Sequence, residues 1–155
     1  MSERKILVPT DFSHGGDAAL DLATTLAKER GATLLIVHVE EPPAAYGAGE
    51  MYYGMPDPVT DDLRKMLDQV GPTDPQVPCQ RRLITGDPAT AIAHLAQEEG
   101  VEWIVMATHG RTGLMRLLMG SVAEAVVRRA PCPVVTLRQP SAPEPGPTPM
   151  QPGEA

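Results

Sequence analysis

Cysteine, aromatic side chains and excess positive charge are all scarce in this sequence of 155 residues. Cys79 and Cys132 are the only cysteines; they form no C-x-x-C pair and neither stands beside a His at ligand spacing, so no zinc site is expected. Two isolated thiols suit a reducing compartment and read as small apolar filler. The aromatic residues are Phe12, Tyr46, Tyr52, Tyr53 and Trp103, so the core must be built from Val, Ile, Leu, Ala and Met. The formal net charge is −7, and the basic residues are scattered apart from Arg81-Arg82 and Arg128-Arg129. Nucleic acid is therefore not an expected partner, because neutralising its phosphates takes a basic surface. No apolar run approaches the roughly 18 residues of a membrane span, so no membrane partner is expected. Met-Ser-Glu-Arg-Lys leads straight into an apolar run with no signal-peptide pattern, which makes cytoplasmic the expected location. The P-loop pattern G-x-x-x-x-G-K-[ST] and the dinucleotide pattern G-x-G-x-x-G are both missing.

Strand and helix patterns alternate along what is present. Lys5–Pro9 is a short apolar strand, and Ala19, Leu20, Leu22, Ala23, Leu26 and Ala27 mark a helix over 16–30 that stops at Gly31. Ala32–Val39 is almost continuously apolar, as a strand buried on both faces should be. Val59, Leu63, Met66, Leu67 and Val70 mark a second helix ended by Gly71-Pro72. Val77–Thr85 is a more polar strand suited to a sheet edge. Asp87-Pro88 reads as an N-cap followed by proline at the first helical position, and Ile92, Leu95 and Ala96 carry that helix inward. Val101–Ala107 is another buried strand. Val122, Ala125, Val126 and Arg129 mark a last helix stopped by Ala130-Pro131, and Pro133–Arg138 is the final strand. The order βαβαβαβαβ implies an α/β domain over 1–139, with a mostly parallel sheet and helices on both faces. Two segments stand apart. The stretch 40–56 holds all three tyrosines and is long for a connection in a compact domain. It can fold over a ligand or stand as a solvent-exposed insertion, and its sequence leaves both open. The proline-rich tail 140–155 is nearly devoid of apolar bulk and is expected to be disordered.

The run Ala107-Thr108-His109-Gly110-Arg111-Thr112-Gly113 continues to Gly120-Ser121-Val122, between the fourth strand and the last helix. Glycine lets a backbone approach an anion, and a helix N-terminus offers unpaired N–H groups with partial positive charge. Such a run suits a phosphate. Arg111, next to Gly110, is a better candidate for pairing with phosphate than Arg116. Ser121-Val122-Ala123-Glu124 also fits the capping box S-x-x-E, so Ser121 has a structural reading beside the functional one. Asp11 follows the first strand directly, where it can cap the next helix or meet a nucleoside. His38 reads as a core or edge histidine. His109 has no carboxylate near it in sequence and no nucleophile is evident, so no catalytic residue is assigned.

Ile6-Leu7-Val8-Pro9-Thr10-Asp11-Phe12-Ser13, the run from Ala107 to Val122, and the ending Ala130-Pro131-Cys132-Pro133-Val134-Val135 together closely resemble the universal stress protein family over about residues 3–138. The resemblance implies a five-stranded parallel sheet of order 3-2-1-4-5, Rossmann-like, in a homodimer. The family has an ATP-binding branch and a branch without bound nucleotide. The ATP branch carries G-x-x-G, nine residues, then G-[S/T]. Here Gly110 and Gly120 stand at the second and third glycines, Arg111–Met119 supplies the nine residues, and Ser121 the hydroxyl. Ala107 stands at the first glycine position, where its added methyl can crowd a phosphate or merely line it. The resemblance also implies nucleotide contacts from Pro9, Thr10, Asp11, Val39, Met106 and Val122. The implied ligand is ATP, with Mg²⁺ or Mn²⁺ held through its phosphates. The expected function is an ATP-binding sensor or regulatory module in a stress response. The alternatives are a nucleotide-free dimeric interaction module and a slow ATPase or phosphotransferase. The homodimer is expected to form through the last strand.

Overall fold

The computed structural model describes residues 2–13, 16–42, 58–108 and 119–138. The elements are β1 (Lys5–Pro9), α1 (Gly16–Arg30), β2 (Thr33–Glu40), α2 (Pro58–Asp68), β3 (Cys79–Thr85), α3 (Pro88–Glu99), β4 (Trp103–Ala107), α4 (Ser121–Arg129) and β5 (Val134–Leu137). All paired strands are parallel, in the order β3-β2-β1-β4-β5. The chain therefore starts in the middle of the sheet, runs outward to β3, and returns to β4 on the other side of β1. That reversal between β1 and β4 opens a crevice at the carboxyl ends of the strands, where open parallel sheets hold ligands.

Side chains alternate across the sheet into two cores. Leu35 and Val37 of β2 join Leu7, Ile104 and Met106 beneath α3 and α4, where Ile92, Leu95 and Val126 close the layer. Leu34 and Ile36 join Ile6, Val8 and Val105 beneath α1 and α2. Alanine makes close packing possible on that side: Ala19, Ala23 and Ala27 form the buried stripe of α1, while Leu20, Leu22 and Leu26 flank it half-buried. On α2, Leu67 is buried, while Val59 and Met66 stay exposed.

Local chemistry sets the boundaries. Asp87 caps α3 by accepting from the Thr90 N–H at 3.1 Å and its hydroxyl at 2.8 Å, with Pro88 in the first turn. Gly100 ends the same helix at φ 59, a conformation that suits glycine. Val101 then donates back to the Ala96 carbonyl, so β4 begins at Trp103 rather than at Val101. Proline trims the other two strands. Pro78 and Pro133 have no N–H for a ladder, although their carbonyls accept from Leu34 and Ile104, and β3 and β5 begin at Cys79 and Val134. The last helix keeps Val126 and Ala125 of its expected face against the core but is turned toward Ala123. Ala123 and Val126 point inward, and Val122 and Arg129 are exposed. Apolar residues at 122, 123, 125 and 126 fit two adjoining helix faces, and the small Ala123 is the one that approaches the sheet.

β5 is an edge strand. The opposite edge, β3, carries Gln80, Arg81 and Arg82, which discourage pairing with another chain. β5 carries only Val134, Val135, Thr136 and Leu137.

Candidate functional site

A cleft of about 330 Å³ lies at the carboxyl ends of β1, β2 and β4 and runs to the N-terminus of α4. Pro9, Thr10 and Asp11 reach it from β1 and the following loop. Val37, Val39 and Glu41 form the wall from β2, and Pro88 and Ile92 of α3 lie behind them. Met106, Ala107 and Thr108 come from β4. Gly120, Ser121, Val122 and Ala123 close the far side. Every predicted site residue within the described residues thus lines one cleft. Gly110 and Arg111 lie outside the described residues, as do His109, 43–56 of the tyrosine-bearing stretch, and the tail from 139.

The β1–α1 loop is fixed by its own hydrogen bonds. Thr10 N–H donates to the Val37 carbonyl at 2.8 Å, extending the ladder past the end of β1. The Thr10 hydroxyl accepts from the Phe12 N–H at 3.1 Å, and Asp11 Oδ1 accepts from the N–H and the hydroxyl of Ser13. Phe12 sits at φ 65, which a non-glycine residue adopts only when its surroundings impose it. Its ring lies on His38, with centroids 4.4 Å apart. His38 Nδ1 lies 2.7 Å from the Thr10 carbonyl. A carbonyl can only accept, so Nδ1 carries the proton in this contact. His38 thus serves as a strut beneath the loop that presents Asp11. A smaller cavity of about 250 Å³ lies on the α1 and α2 side and shares Pro9, Thr10 and Gly16 with the cleft, so the loop forms the partition between the two.

The N-terminus of α4 differs from the capping-box expectation. Gly120, not Ser121, is the N-cap, at φ −68 and ψ 159, and no side chain caps the first turn. Ser121 is the first helical residue. This register shifts Glu124 one place past the capping-box position, and its carboxylate instead accepts from Arg128 at 2.7 Å. Glycine at the cap accepts from Glu124 N–H through its backbone carbonyl at 3.0 Å but has no side-chain oxygen, so the N–H groups of the first turn face the cleft without a side-chain acceptor. They carry the positive end of the helix dipole, worth about half an elementary charge. Gly120 N–H itself donates to the Thr108 carbonyl at 2.6 Å, which joins the helix start to the end of β4.

Ala107 closes β4, paired with Leu137. Its φ is not positive, since Phe12 alone among the described non-glycine residues has a positive φ. The backbone at 107 therefore makes no use of the freedom that glycine would bring, and the residue is one of those lining the cleft. Should the cleft hold a nucleotide, Ala107→Gly is expected to leave its affinity within about threefold while lowering stability by about 0.5–1 kcal/mol. Calorimetric titration beside thermal melts reads both, and a tenfold gain in affinity would instead mean that the methyl obstructs the ligand.

The charged side chains among the described lining residues are Asp11 and Glu41. No Lys or Arg is among the described lining residues, and the backbone N–H groups at the start of α4 are available to an anion there. No group of three or more His, Cys, Asp or Glu residues that could hold a metal ion occurs among the described residues. No helix of the described residues is long and apolar enough to cross a membrane. The sequence reading missed Thr108, Glu41, Ile92 and Ala123 as cleft residues. Thr108 had a signal in its position directly after Ala107, while the others become cleft residues only through folding.

Comparison with known proteins agrees with this architecture. The universal stress protein family model matches residues 3–138. A universal stress protein of Methanocaldococcus jannaschii, MJ0531, is 31% identical over 146 residues, covering 88% of this chain and 83% of its own. The solved structure of UspA from Lactobacillus plantarum superposes with a TM-score of 0.70 at 25% identity, covering 89% of this chain and 99% of that one. A universal stress protein solved in complex with cAMP superposes with a TM-score of 0.59 at 25% identity, covering 90% and 99%. On the family match across the whole folded region, the chain belongs to the universal stress protein family.

Proposed function

We propose that the cleft binds ATP, with Mg²⁺ or Mn²⁺ held through the phosphates, and that the domain is a nucleotide-responsive sensor or regulatory module in a stress response. The observation that carries this reading is the side-chain-uncapped N-terminus of α4, facing a cleft lined by Pro9, Thr10, Asp11, Val39, Met106 and Ala107. The volume of about 330 Å³ suits a small-molecule ligand. In this reading the N–H groups of Ser121 and Val122 take the phosphates, Gly120 lets them approach, and Asp11 meets the nucleoside. Gly110 and Arg111 would add phosphate contacts from the connecting run. The acidic Asp11 and Glu41 favour a nucleotide that brings a divalent cation with it, since that lowers the ligand's negative charge. The cAMP complex of a related protein supports a nucleotide as the ligand class. Titrating the full chain with ATP and Mg²⁺ by calorimetry tests the reading. Saturable one-site binding is expected; no heat of binding, with no nucleotide released from the purified protein, would leave a nucleotide-free interaction module.

We also propose that two copies pair antiparallel through β5. Among the described residues no further strand lies beside β5, whose uncharged edge a second copy can cover, whereas β3 is guarded by arginines. Sedimentation should find a dimer at micromolar concentration. A monomeric wild-type chain would remove this proposal.

A further inference from the structure

Among the described residues, one buried side-chain oxygen or nitrogen has no hydrogen-bond partner, and it is the Thr108 hydroxyl. Thr108 is 5% exposed and lines the cleft. Its backbone is fully engaged. The N–H donates to the Leu137 carbonyl at 2.9 Å, and its carbonyl accepts from Gly120 N–H at 2.6 Å. The first bond prolongs the β4–β5 ladder by one residue, and side chains along a strand alternate between faces. Residue 108 therefore continues the row of Ile104 and Met106, on the side of α3 and α4. The second bond ties it directly to the N-cap of α4. A threonine is thus held rigidly at the junction of β4 and α4, with its one remaining polar group unused.

A buried hydroxyl without a partner is costly, and packing alone does not call for one, since valine has the same shape. The site reading supplies an acceptor. Phosphate oxygens drawn to the first turn of α4 lie next to the residue that Gly120 is bonded to. We propose that Thr108 is a phosphate-binding residue of the cleft, its hydroxyl donating to a phosphate oxygen of the bound nucleotide. This inference rests on the proposed nucleotide site and adds to it a contact that selects nucleotides over nucleosides. Hydrogen bonds between neutral donors and charged oxygens are stronger than neutral pairs, so the hydroxyl discriminates by charge as well as shape.

Thr108→Val tests it, because the substitution keeps the β-branched shape and removes only the hydroxyl. Without nucleotide, the variant should melt at or above the wild-type midpoint, since an unsatisfied group is gone. Its dissociation constant for ATP with Mg²⁺ should rise about tenfold or more. Its affinity for adenosine should stay within about twofold of wild type. Thr108→Ser keeps the hydroxyl and should bind ATP within about threefold of wild type. If Thr108→Val does not fold, Thr108→Ala removes the same hydroxyl and is read the same way. Wild-type ATP affinity in the folded hydroxyl-free variant would overturn the inference while leaving the site reading intact. Equal losses for ATP and adenosine would overturn it as well, since the hydroxyl would then not face phosphate. If the wild-type chain binds no ATP, the site reading fails and the inference fails with it.

Discussion

Gly120→Val is expected to fold and to lose ATP binding by about 100-fold or more. Gly120 lines the cleft as the N-cap of α4 and has no side chain between the helix N–H groups and the ligand space. Three added carbons would stand where phosphate oxygens must come within hydrogen-bond distance of Ser121 and Val122. Losing one or two bonds to a charged acceptor removes about 3 kcal/mol, or roughly two orders of magnitude in the dissociation constant. The backbone does not object. At φ −68 and ψ 159 the residue is extended, which valine adopts readily, and the bond from its N–H to the Thr108 carbonyl is unaffected. Valine is a poorer N-cap than glycine, so a loss of about 1 kcal/mol in stability accompanies the change. Calorimetry with ATP and Mg²⁺, beside circular dichroism to establish folding, reads the outcome. Unchanged affinity in the folded variant would falsify phosphate binding at this helix.

Leu35→Ala should produce the largest loss of stability of any change considered for this chain. Leu35 is fully buried in β2, opposite Leu7 of β1 and Gln80 of β3, and it packs beneath α3 and α4. Removing its isobutyl group leaves a cavity between two neighbouring strands and a helical layer that cannot all collapse into it. Such substitutions cost about 2–5 kcal/mol, a large share of the 5–15 kcal/mol that typically holds a domain together. The urea midpoint should fall by about 1–3 M if the slope is unchanged. The same strand ends in Val37 and Val39 at the cleft, so nucleotide should raise the variant's melting midpoint wherever the variant remains folded. A loss below about 1 kcal/mol would mean that the two-layer core does not centre on β2.

The fold was legible because its central strands are so apolar. A short, β-branched-rich apolar run such as Thr-Leu-Leu-Ile-Val-His-Val suits a strand covered on both faces, and the alternation with amphipathic segments points to parallel crossovers. The strand order comes from the resemblance of the Ile6–Ser13, Ala107–Val122 and Ala130–Val135 runs to a known family, since periodicity does not say which strands are neighbours. The errors were local. β4 was begun at Val101 because an apolar residue there serves the end of α3 as well as it would a strand. The face of α4 was misjudged because four apolar residues in five positions fit more than one orientation. Ser121 fitted a capping box by spacing, but the helix begins one residue earlier than that reading needs. The glycine–serine run marks, from sequence alone, the strand end at which the cleft lies. The position of Thr108 after Ala107 hints at the cleft, but its unpartnered hydroxyl exists only once β5 and α4 have closed around it.

The most direct test of the central claim is a crystal structure of the full chain with ATP and Mg²⁺. The account predicts the phosphates against the N–H groups of Ser121 and Val122, the nucleoside beside Asp11, and the Thr108 hydroxyl within 2.5–3.0 Å of a phosphate oxygen. Nucleotide bound elsewhere on the molecule, with the α4 N-terminus facing only solvent, would contradict it.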